Sequence, residues 1–253
     1  MDSETVKAYF NKSGVVAEYS QAANRIGLWR SEEKVFTRLF RPEDVLLELG
    51  TGTGRIAFGL WELGYRQILG VDVAREMIEE ARRINRVLEY GVSFRVADAA
   101  RLPFGDAEFD GALFGFNGLM CIPGRLRRRA DLREILRVLR PGAWFAFTTH
   151  DRTNEKFRAF WTEEKLRWKL GPPGPELVEF GDRLVDSPLG SLFIHIPDRD
   201  EILADLAVTG WRYETDAPRA VLAQESEATR AFADDCIFWV AQKPADSSTS
   251  SAK

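Results

Sequence analysis

The chain has 253 residues, of which 45% are hydrophobic and 11% are aromatic, so it fits one α/β domain with insertions and is not globally disordered. Its 35 Lys and Arg against 39 Asp and Glu give a net charge of −4, which argues against a generally basic nucleic-acid binder. Two Cys and two His provide neither a disulfide framework nor a CxxC zinc pair, so no metal ion is expected.

No part of the chain has the pattern of a signal peptide or a membrane span. The first residues, MDSETVKAYFNKSG, contain no apolar leader segment. No apolar run reaches the roughly 18 residues that a transmembrane helix needs. We therefore expect a cytoplasmic protein without a membrane partner, and the oligomeric state stays open.

The predicted elements begin with a helical segment and continue as alternating strands and helices. Residues 1–43 mix charged and aromatic side chains, which predicts one or two amphipathic helices. Five short apolar runs then predict strands, with helices predicted over Arg55–Leu63, Arg75–Tyr90 and Leu126–Leu139. Such alternation implies βαβ units and a parallel sheet covered on both faces. The five strands are Val45–Leu49, Ile68–Val71, Val92–Ala97, Ala112–Phe116 and Ala143–Thr149.

The alternation pauses after the fifth strand. His150–Leu170 is polar and helical in pattern, and Leu177–Ile196 alternates around a Ser-Pro-Leu-Gly turn, which predicts a hairpin. The last elements are a helix over Asp198–Val208 and strands over Trp211–Thr215 and Cys236–Gln242. Residues 243–253 form a polar tail without core formers, for which we expect disorder.

A strand that runs into a glycine-rich turn is the strongest signal in the chain. Val45–Gly54 reads VLLELGTGTG, so the glycines have the spacing GxGxG. Glycine lets the backbone turn tightly and approach a ligand, and the next helix offers free N–H groups at its start. Glu48, Asp72 and Asp98 lie at the carboxyl ends of predicted strands, where open α/β sheets bind ligands. An acid at the end of the second strand can accept both hydroxyls of a ribose.

Together these motifs resemble the class I, Rossmann-fold methyltransferases that use S-adenosylmethionine (SAM). The resemblance covers roughly Tyr9 to Lys243. It implies SAM as cofactor, S-adenosylhomocysteine as product, and a doubly wound, mostly parallel sheet of seven strands with an antiparallel last strand. It also implies three parts: an N-terminal helical cap over 1–43, a SAM-binding domain over 44–242, and within it a lid over 151–197.

The resemblance also assigns site residues. It implies that the Glu48–Gly54 loop holds the methionine end of SAM, that Asp72 holds the ribose and that Asp98 meets the adenine amino group. Phe116 would lie beside the reactive methyl group, and Trp29 is a candidate cap over the cofactor. The predicted cofactor-binding residues are Glu48, Gly50, Thr51, Gly52, Asp72, Val73, Met77, Asp98, Ala99, Phe116 and Trp29.

Asn117 and His150 are the candidate catalytic residues. Asn117 follows the predicted fourth strand as a candidate to orient the acceptor, and His150 follows the fifth as a candidate general base, since histidine exchanges a proton near pH 7. The alternatives are a turn residue and a polar residue at a strand end. The chain lacks the [DNS]PP[YFW] motif and the Pro-Cys motif of nucleic-acid methyltransferases. We therefore predict a small-molecule acceptor with an N or O nucleophile.

Three other functions stay open. Arg125–Arg140 holds seven Arg in sixteen residues, which is typical either of a solvated helix face or of a patch that binds nucleic acid, as in an RNA methyltransferase. A second alternative is a SAM-binding protein without transferase activity. The third, an NAD-dependent oxidoreductase, is disfavoured because position 55 is Arg, where the GxGxxG fingerprint needs Gly.

Overall fold

A seven-stranded sheet forms the centre of the protein, in a computed structural model that describes residues 2–245. A separate two-stranded hairpin, β6–β7, lies in the segment after the fifth strand. The strands are β1 Leu46–Leu49, β2 Ile68–Asp72, β3 Ser93–Val96, β4 Phe109–Phe114, β5 Leu139–Thr149, β6 Asp182–Ser187, β7 Gly190–His195, β8 Arg212–Pro218 and β9 Ile237–Gln242.

The strand order is β3-β2-β1-β4-β5-β9-β8, and β9 alone runs antiparallel to the other six strands. The predicted doubly wound, mostly parallel sheet of seven strands is therefore confirmed. Helices cover both faces of the sheet, and β1 is therefore buried on both. Leu46 belongs to the hydrophobic core on one face, and Leu47 and Leu49 belong to the core on the other.

Ten α-helices surround the sheet among the described residues, with short 3-10 helices at Gly118–Cys121 and Glu155–Phe157. The last two α-helices lie between β8 and β9 and have no counterpart in the sequence prediction. The α-helices are α1 Ser3–Phe10, α2 Ser13–Arg25, α3 Arg30–Leu39, α4 Arg55–Glu62, α5 Arg75–Leu88, α6 Arg125–Val138, α7 Arg158–Trp168, α8 Arg199–Thr209, α9 Arg219–Leu222 and α10 Glu227–Phe232.

Several elements differ from the prediction, and three of these differences are the clearest. The first 43 residues hold three helices rather than one or two. Strand β4 ends at Phe114, because Phe116 and Asn117 adopt the left-handed conformation, with φ of 49° and 59°, which no strand can continue. Strand β5 begins four residues before the predicted start, because Leu139 already pairs with Phe109.

The N-terminal helices contact the β6–β7 hairpin. The Lys12 ammonium donates to the carbonyl of Leu189 at 2.9 Å, and the Leu189 side chain lies against Gly14. This contact brings together the segments predicted as cap and lid, whose domain boundaries remain a prediction. The predicted disordered tail, 243–253, begins too early, because the backbone of Lys243 forms hydrogen bonds with Gly142 and Ala143; residues 246–253 lie outside the described residues.

No helix in the described part of the chain combines the length and apolar character needed to cross a bilayer. The cytoplasmic location remains a prediction.

Candidate functional site

A cavity opens at the edge of the sheet where β1, β2 and β3 end. The centre of a water molecule can reach about 160 Å³ of it. The glycine-rich turn after β1 and the acids at the three strand ends line one side, and α1 and α2 line the other. This is the edge at which parallel α/β sheets bind ligands.

The glycine-rich turn needs glycine for two reasons. Gly50 and Gly52 have φ of +59° and +55°, which is the left-handed region. A Cβ on Gly50 would also lie 2.5 Å from the ring of Phe114, so the protein itself requires a glycine there. A Cβ on Gly52 would meet Tyr19 of α2 at an ordinary 3.5 Å. The turn therefore presents its backbone to the cavity.

Asp72 joins the end of β2 to this turn. Its carboxylate accepts hydrogen bonds from the N–H of Gly52 at 2.9 Å and from the N–H of Ala74 at 2.8 Å. Burial raises the pKa of the Asp72 carboxyl, and the two N–H donors oppose that rise. The carboxylate is held in one orientation at the cavity wall, with further lone pairs available to a ligand.

Glu48 is the most buried of the three strand-end acids, with 2% of its surface exposed. It accepts a hydrogen bond of 2.6 Å from the Thr51 hydroxyl. Burial raises the pKa of Glu48 to about 8, although the Thr51 hydrogen bond and the charge of Arg55 lower it. Arg55 cannot fully compensate because it forms a bidentate ion pair with Glu32, with both distances 2.6 Å. The Glu48 side chain can therefore change protonation state near neutral pH.

Asp98 follows β3 and is already engaged. One carboxylate oxygen accepts from the N–H of Ala100 at 2.9 Å, and the other forms an ion pair of 2.7 Å with Arg127 of α6. Asp131, one helical turn beyond Arg127, is a further acid of the cavity wall and is completely buried.

Aromatic rings form a wall of the cavity near the β4 end. Phe116 makes an edge contact with Tyr19, at 5.9 Å between centroids, and stacks on Phe232 of α10 at 5.2 Å. Phe10 of α1 extends this wall toward the N-terminal helices. Burial raises the pKa of the Tyr19 hydroxyl, so that group stays protonated. An apolar, planar molecule fits such a wall.

Ten of the eleven predicted cofactor-binding residues line this cavity; the exception is Trp29. Trp29 is 2% exposed and lies behind Phe116, between the guanidinium groups of Arg55 and Arg219. The prediction that Trp29 caps the cofactor is therefore not supported by its position: it is a core residue that backs the aromatic wall. The ten are Glu48, Gly50, Thr51, Gly52, Asp72, Val73, Met77, Asp98, Ala99 and Phe116.

Asn117 and His150 lie together but outside the cavity lining. The amide of Asn117 is 3.1 Å from Nε2 of His150, and Nδ1 of His150 is 3.1 Å from the carbonyl of Asp235. Because a carbonyl can only accept, Nδ1 carries the proton, and Nε2 then accepts from the Asn117 amide. Burial lowers the pKa of His150, which favours this neutral form. A general-base role would require Asn117 to release Nε2, so it remains a prediction.

The arginine-rich helix α6 is largely neutralised. Five of its six arginines form ion pairs with acids, as does Arg140 at the start of β5, and Arg128 is 1% exposed. Arg125 and Arg129 share Asp205 of α8, 76 to 80 residues further along the chain. Most of the positive charge is therefore balanced within the protein.

Asp131 and Phe232 are among the residues of the cavity wall that sequence reasoning missed. Asp131 had a usable signal, because it is an acid on the face of α6 that also carries the buried Ile135 and Val138. Phe232 had none, since α10 was not predicted.

Comparison with known proteins identifies the domain. Residues 46–142 match the family model of a methyltransferase domain. An O-methyltransferase of Aspergillus sclerotiorum is 39% identical over 103 residues, which cover 40% of this chain and 38% of that protein. Demethylmenaquinone methyltransferase of Symbiobacterium thermophilum is 29% identical over 166 residues, covering 61% of this chain and 62% of that protein. The matches thus span less than two thirds of either relative.

Among solved structures, a SAM-dependent methyltransferase from Methanosarcina mazei has a TM-score of 0.69 at 22% identity, and the match covers 87% of this chain and 100% of that one. At this identity the likeness shows the fold. The predicted family, and SAM as the cofactor of that family, are confirmed by the domain match together with the fold. The chain thus carries a methyltransferase domain of the SAM-dependent class I family, over residues 46–142 of a Rossmann-like fold.

Proposed function

We propose that this protein transfers the methyl group of SAM to an oxygen or nitrogen nucleophile of a small molecule and leaves S-adenosylhomocysteine. The observation that carries the proposal is a cavity at the carboxyl edge of the sheet, in which the glycine-rich turn, three strand-end acids and an aromatic wall meet. Residues 2–245 would thus hold both the cofactor and its acceptor.

The cavity fits the cofactor by its chemistry. Asp72 keeps unused lone pairs beside a turn that presents its backbone, which suits a ribose with two hydroxyls. Asp98 lies at the next strand end and suits the adenine amino group. The enclosed Glu48 suits the methionine end of the cofactor, as in the predicted assignment.

When bound, SAM supplies an electrophilic methyl group. The chain's own contribution is to orient the cofactor through Asp72 and the turn, and to keep water out by means of α1 and α2. Holding the reactants in line and without water accounts for much of the acceleration of such a displacement. The acceptor would lie against Phe10, Tyr19 and Phe116. Its proton would pass to bulk water when the product leaves the site, unless His150 becomes free to accept it.

The relatives favour a small acceptor. Two of them are named as an O-methyltransferase and a demethylmenaquinone methyltransferase. A planar, largely apolar acceptor matches the aromatic wall, where Phe116 and Phe232 stack. We therefore place the acceptor among flat, weakly polar molecules with a hydroxyl or amino group.

The alternative of an RNA methyltransferase has less support, because the arginines of α6 that it needs are mostly paired with acids. It predicts RNA binding that weakens steeply with salt. A SAM-binding protein without activity predicts tight SAM binding and no methylated product with any acceptor.

The test is calorimetric titration with SAM, S-adenosylhomocysteine and NADH, followed by screening of acceptors for methylated product. We expect the first two ligands to bind and NADH not to bind. For Asp72→Ala we expect the binding free energy of S-adenosylhomocysteine to weaken by about 2–4 kcal/mol, because the hydrogen bonds between the charged carboxylate and the ribose are lost. The exposed Asp200→Ala serves as the matched control. Unchanged affinity in a folded Asp72→Ala variant would refute the ribose assignment.

A further inference from the structure

Asp131 of α6 is a buried acid of the cavity wall whose carboxyl group forms no hydrogen bond within the described part of the chain. It is 0% exposed and lines the same cavity as Asp98. Neither of its carboxyl oxygens has a hydrogen-bond partner among residues 2–245. Buried polar groups are nearly always hydrogen-bonded in native proteins, so two such oxygens in a ligand cavity point to a partner that arrives with the ligand.

The surroundings of Asp131 favour its neutral form. Burial and the negative charge of Asp98 raise its pKa, as does the more weakly acting Glu134, while Arg127 and Arg128 lower it. The net effect is a pKa of about 8. At neutral pH the group is therefore mostly a carboxylic acid, with one O–H donor and one carbonyl acceptor side by side.

We infer that Asp131 binds the amine-bearing edge of the cofactor's adenine, its O–H donating to a ring nitrogen and its C=O accepting from the amino group. This inference rests on the proposed function, since it needs the cofactor in the cavity. It makes Asp131 a second determinant of base specificity beside Asp98. Asp98 already accepts from Arg127 and Ala100, and as a carboxylate it offers no donor.

Two substitutions separate this role from others. Asp131→Asn keeps a donor and an acceptor in the same shape, whereas Asp131→Ala removes both. By calorimetry at pH 7 we expect S-adenosylhomocysteine to bind about tenfold more weakly to the Ala variant, and within about threefold of wild type to the Asn variant. The exposed Asp200→Asn variant is the control and should bind as wild type does.

The pH dependence distinguishes a neutral carboxyl from a charged one. As pH rises through about 8, the affinity of the wild type should fall relative to Asp131→Asn, toward the roughly tenfold weaker binding expected of Asp131→Ala, because only the protonated carboxyl can donate. The Asn variant keeps every other titrating group of the protein, and the amine of the ligand is the same in both experiments. The ratio of the two affinities therefore reports on Asp131 alone. An analogue with purine in place of adenine, which lacks the amino donor, should lose part of the preference for wild type over Asp131→Ala.

Thermal unfolding completes the test. Because Asp131 makes no hydrogen bond within the described chain, Asp131→Ala should not lower Tm, and a marked decrease in Tm would show a structural role and overturn the inference. Equal affinity of wild type and Asp131→Ala would overturn it as well. Equal losses of affinity in the Asn and Ala variants, without a pH effect, would overturn it too. That result would mean that Asp131 is a carboxylate that forms an ion pair with Arg127. Failure of the wild type to bind S-adenosylhomocysteine would overturn the proposed function and this inference together.

Discussion

Substitution of His195 by glutamine should destabilise the protein in a pH-dependent way. His195 is completely buried in β7, with Nδ1 2.8 Å from Asp182 and Nε2 2.8 Å from Glu201 of α8. With a carboxylate at each nitrogen, the ring is held as an imidazolium. It joins the base of the hairpin to α8.

The magnitude follows from the groups that the substitution leaves behind. Without the imidazolium, Asp182 keeps the N–H donors of Val178 and Glu179, and Glu201 keeps the guanidinium of Arg152. Removing one partner of a buried ion pair costs about 3–5 kcal/mol, and the remaining donors place this case at the lower end. We expect a loss of about 3 kcal/mol of unfolding free energy near pH 6.

The pH profile gives the sign. Burial lowers the pKa of His195, but the hydrogen bonds of Asp182 and Glu201 outweigh it and raise the pKa above the ordinary value of 6.5. The stabilisation is therefore complete below pH 6.5 and is lost as pH rises through the raised pKa. On the acid side, burial raises the pKa of Glu201, but His195 and Arg152 outweigh it and lower that pKa to about 2. The part of the stabilisation that depends on the Glu201 carboxylate is therefore lost only as pH falls toward 2.

The assay is urea unfolding followed by tryptophan fluorescence at a series of pH values. Trp161 and Trp168 contact Phe180 at the base of the hairpin and report on this region. Ser191→Ala, on the exposed side of the same strand, is the control and should change stability by less than about 0.5 kcal/mol. A His195→Gln protein within 1 kcal/mol of wild type at pH 6, or a difference that grows at alkaline pH, would refute the reasoning.

Three further predictions concern the cavity. Gly50→Ala should lower Tm and weaken binding of S-adenosylhomocysteine, because its Cβ would lie 2.5 Å from Phe114 at a φ of +59°; an unchanged Tm would show that the turn relaxes freely. The wild type should lose unfolding free energy as pH rises from 4.5 through about 8, the raised pKa of Glu48, and Glu48→Gln should lack that slope in urea titrations. Equal slopes would mean that Glu48 is not the titrating group. Deletion of residues 2–12 should speed release of S-adenosylhomocysteine in stopped-flow measurements, since α1 lines the cavity; an unchanged rate would place the exit elsewhere.

The site residues at the carboxyl edge of the sheet could be predicted because the sequence patterns that mark them are local. The apolar run of β1 is followed at once by glycines, and Asp72 and Asp98 mark the ends of the next two strands. Parallel strands bring these ends to one edge whatever the loops do. The alternation of elements was enough to predict the sheet, and the family resemblance supplied the antiparallel β9.

The rest depends on contacts between distant segments. The end of β4 was misplaced because Phe116 and Asn117 adopt positive φ without being glycine, which the sequence does not reveal. Trp29 was assigned to the cofactor, whereas Arg55 and Arg219, which flank it, come from elements far apart in the chain. The arginines of α6 suggested a basic patch because their acidic partners, such as Asp205, lie on other elements.

We expect the choice of acceptor to be encoded mostly outside the shared domain. The family match covers residues 46–142, whereas Phe10, Tyr19 and Phe232 of the cavity wall lie on either side of it. Residues 2–12, which include α1, are held to the rest of the protein by few polar contacts, among them Lys12 with Leu189 and Asn11 with the N–H of Glu76. Each such bond contributes about 1 kcal/mol, so α1 can detach at modest cost and let the cofactor exchange. Substitutions in these flanking segments should therefore change which acceptor is methylated while leaving cofactor binding by the shared domain intact.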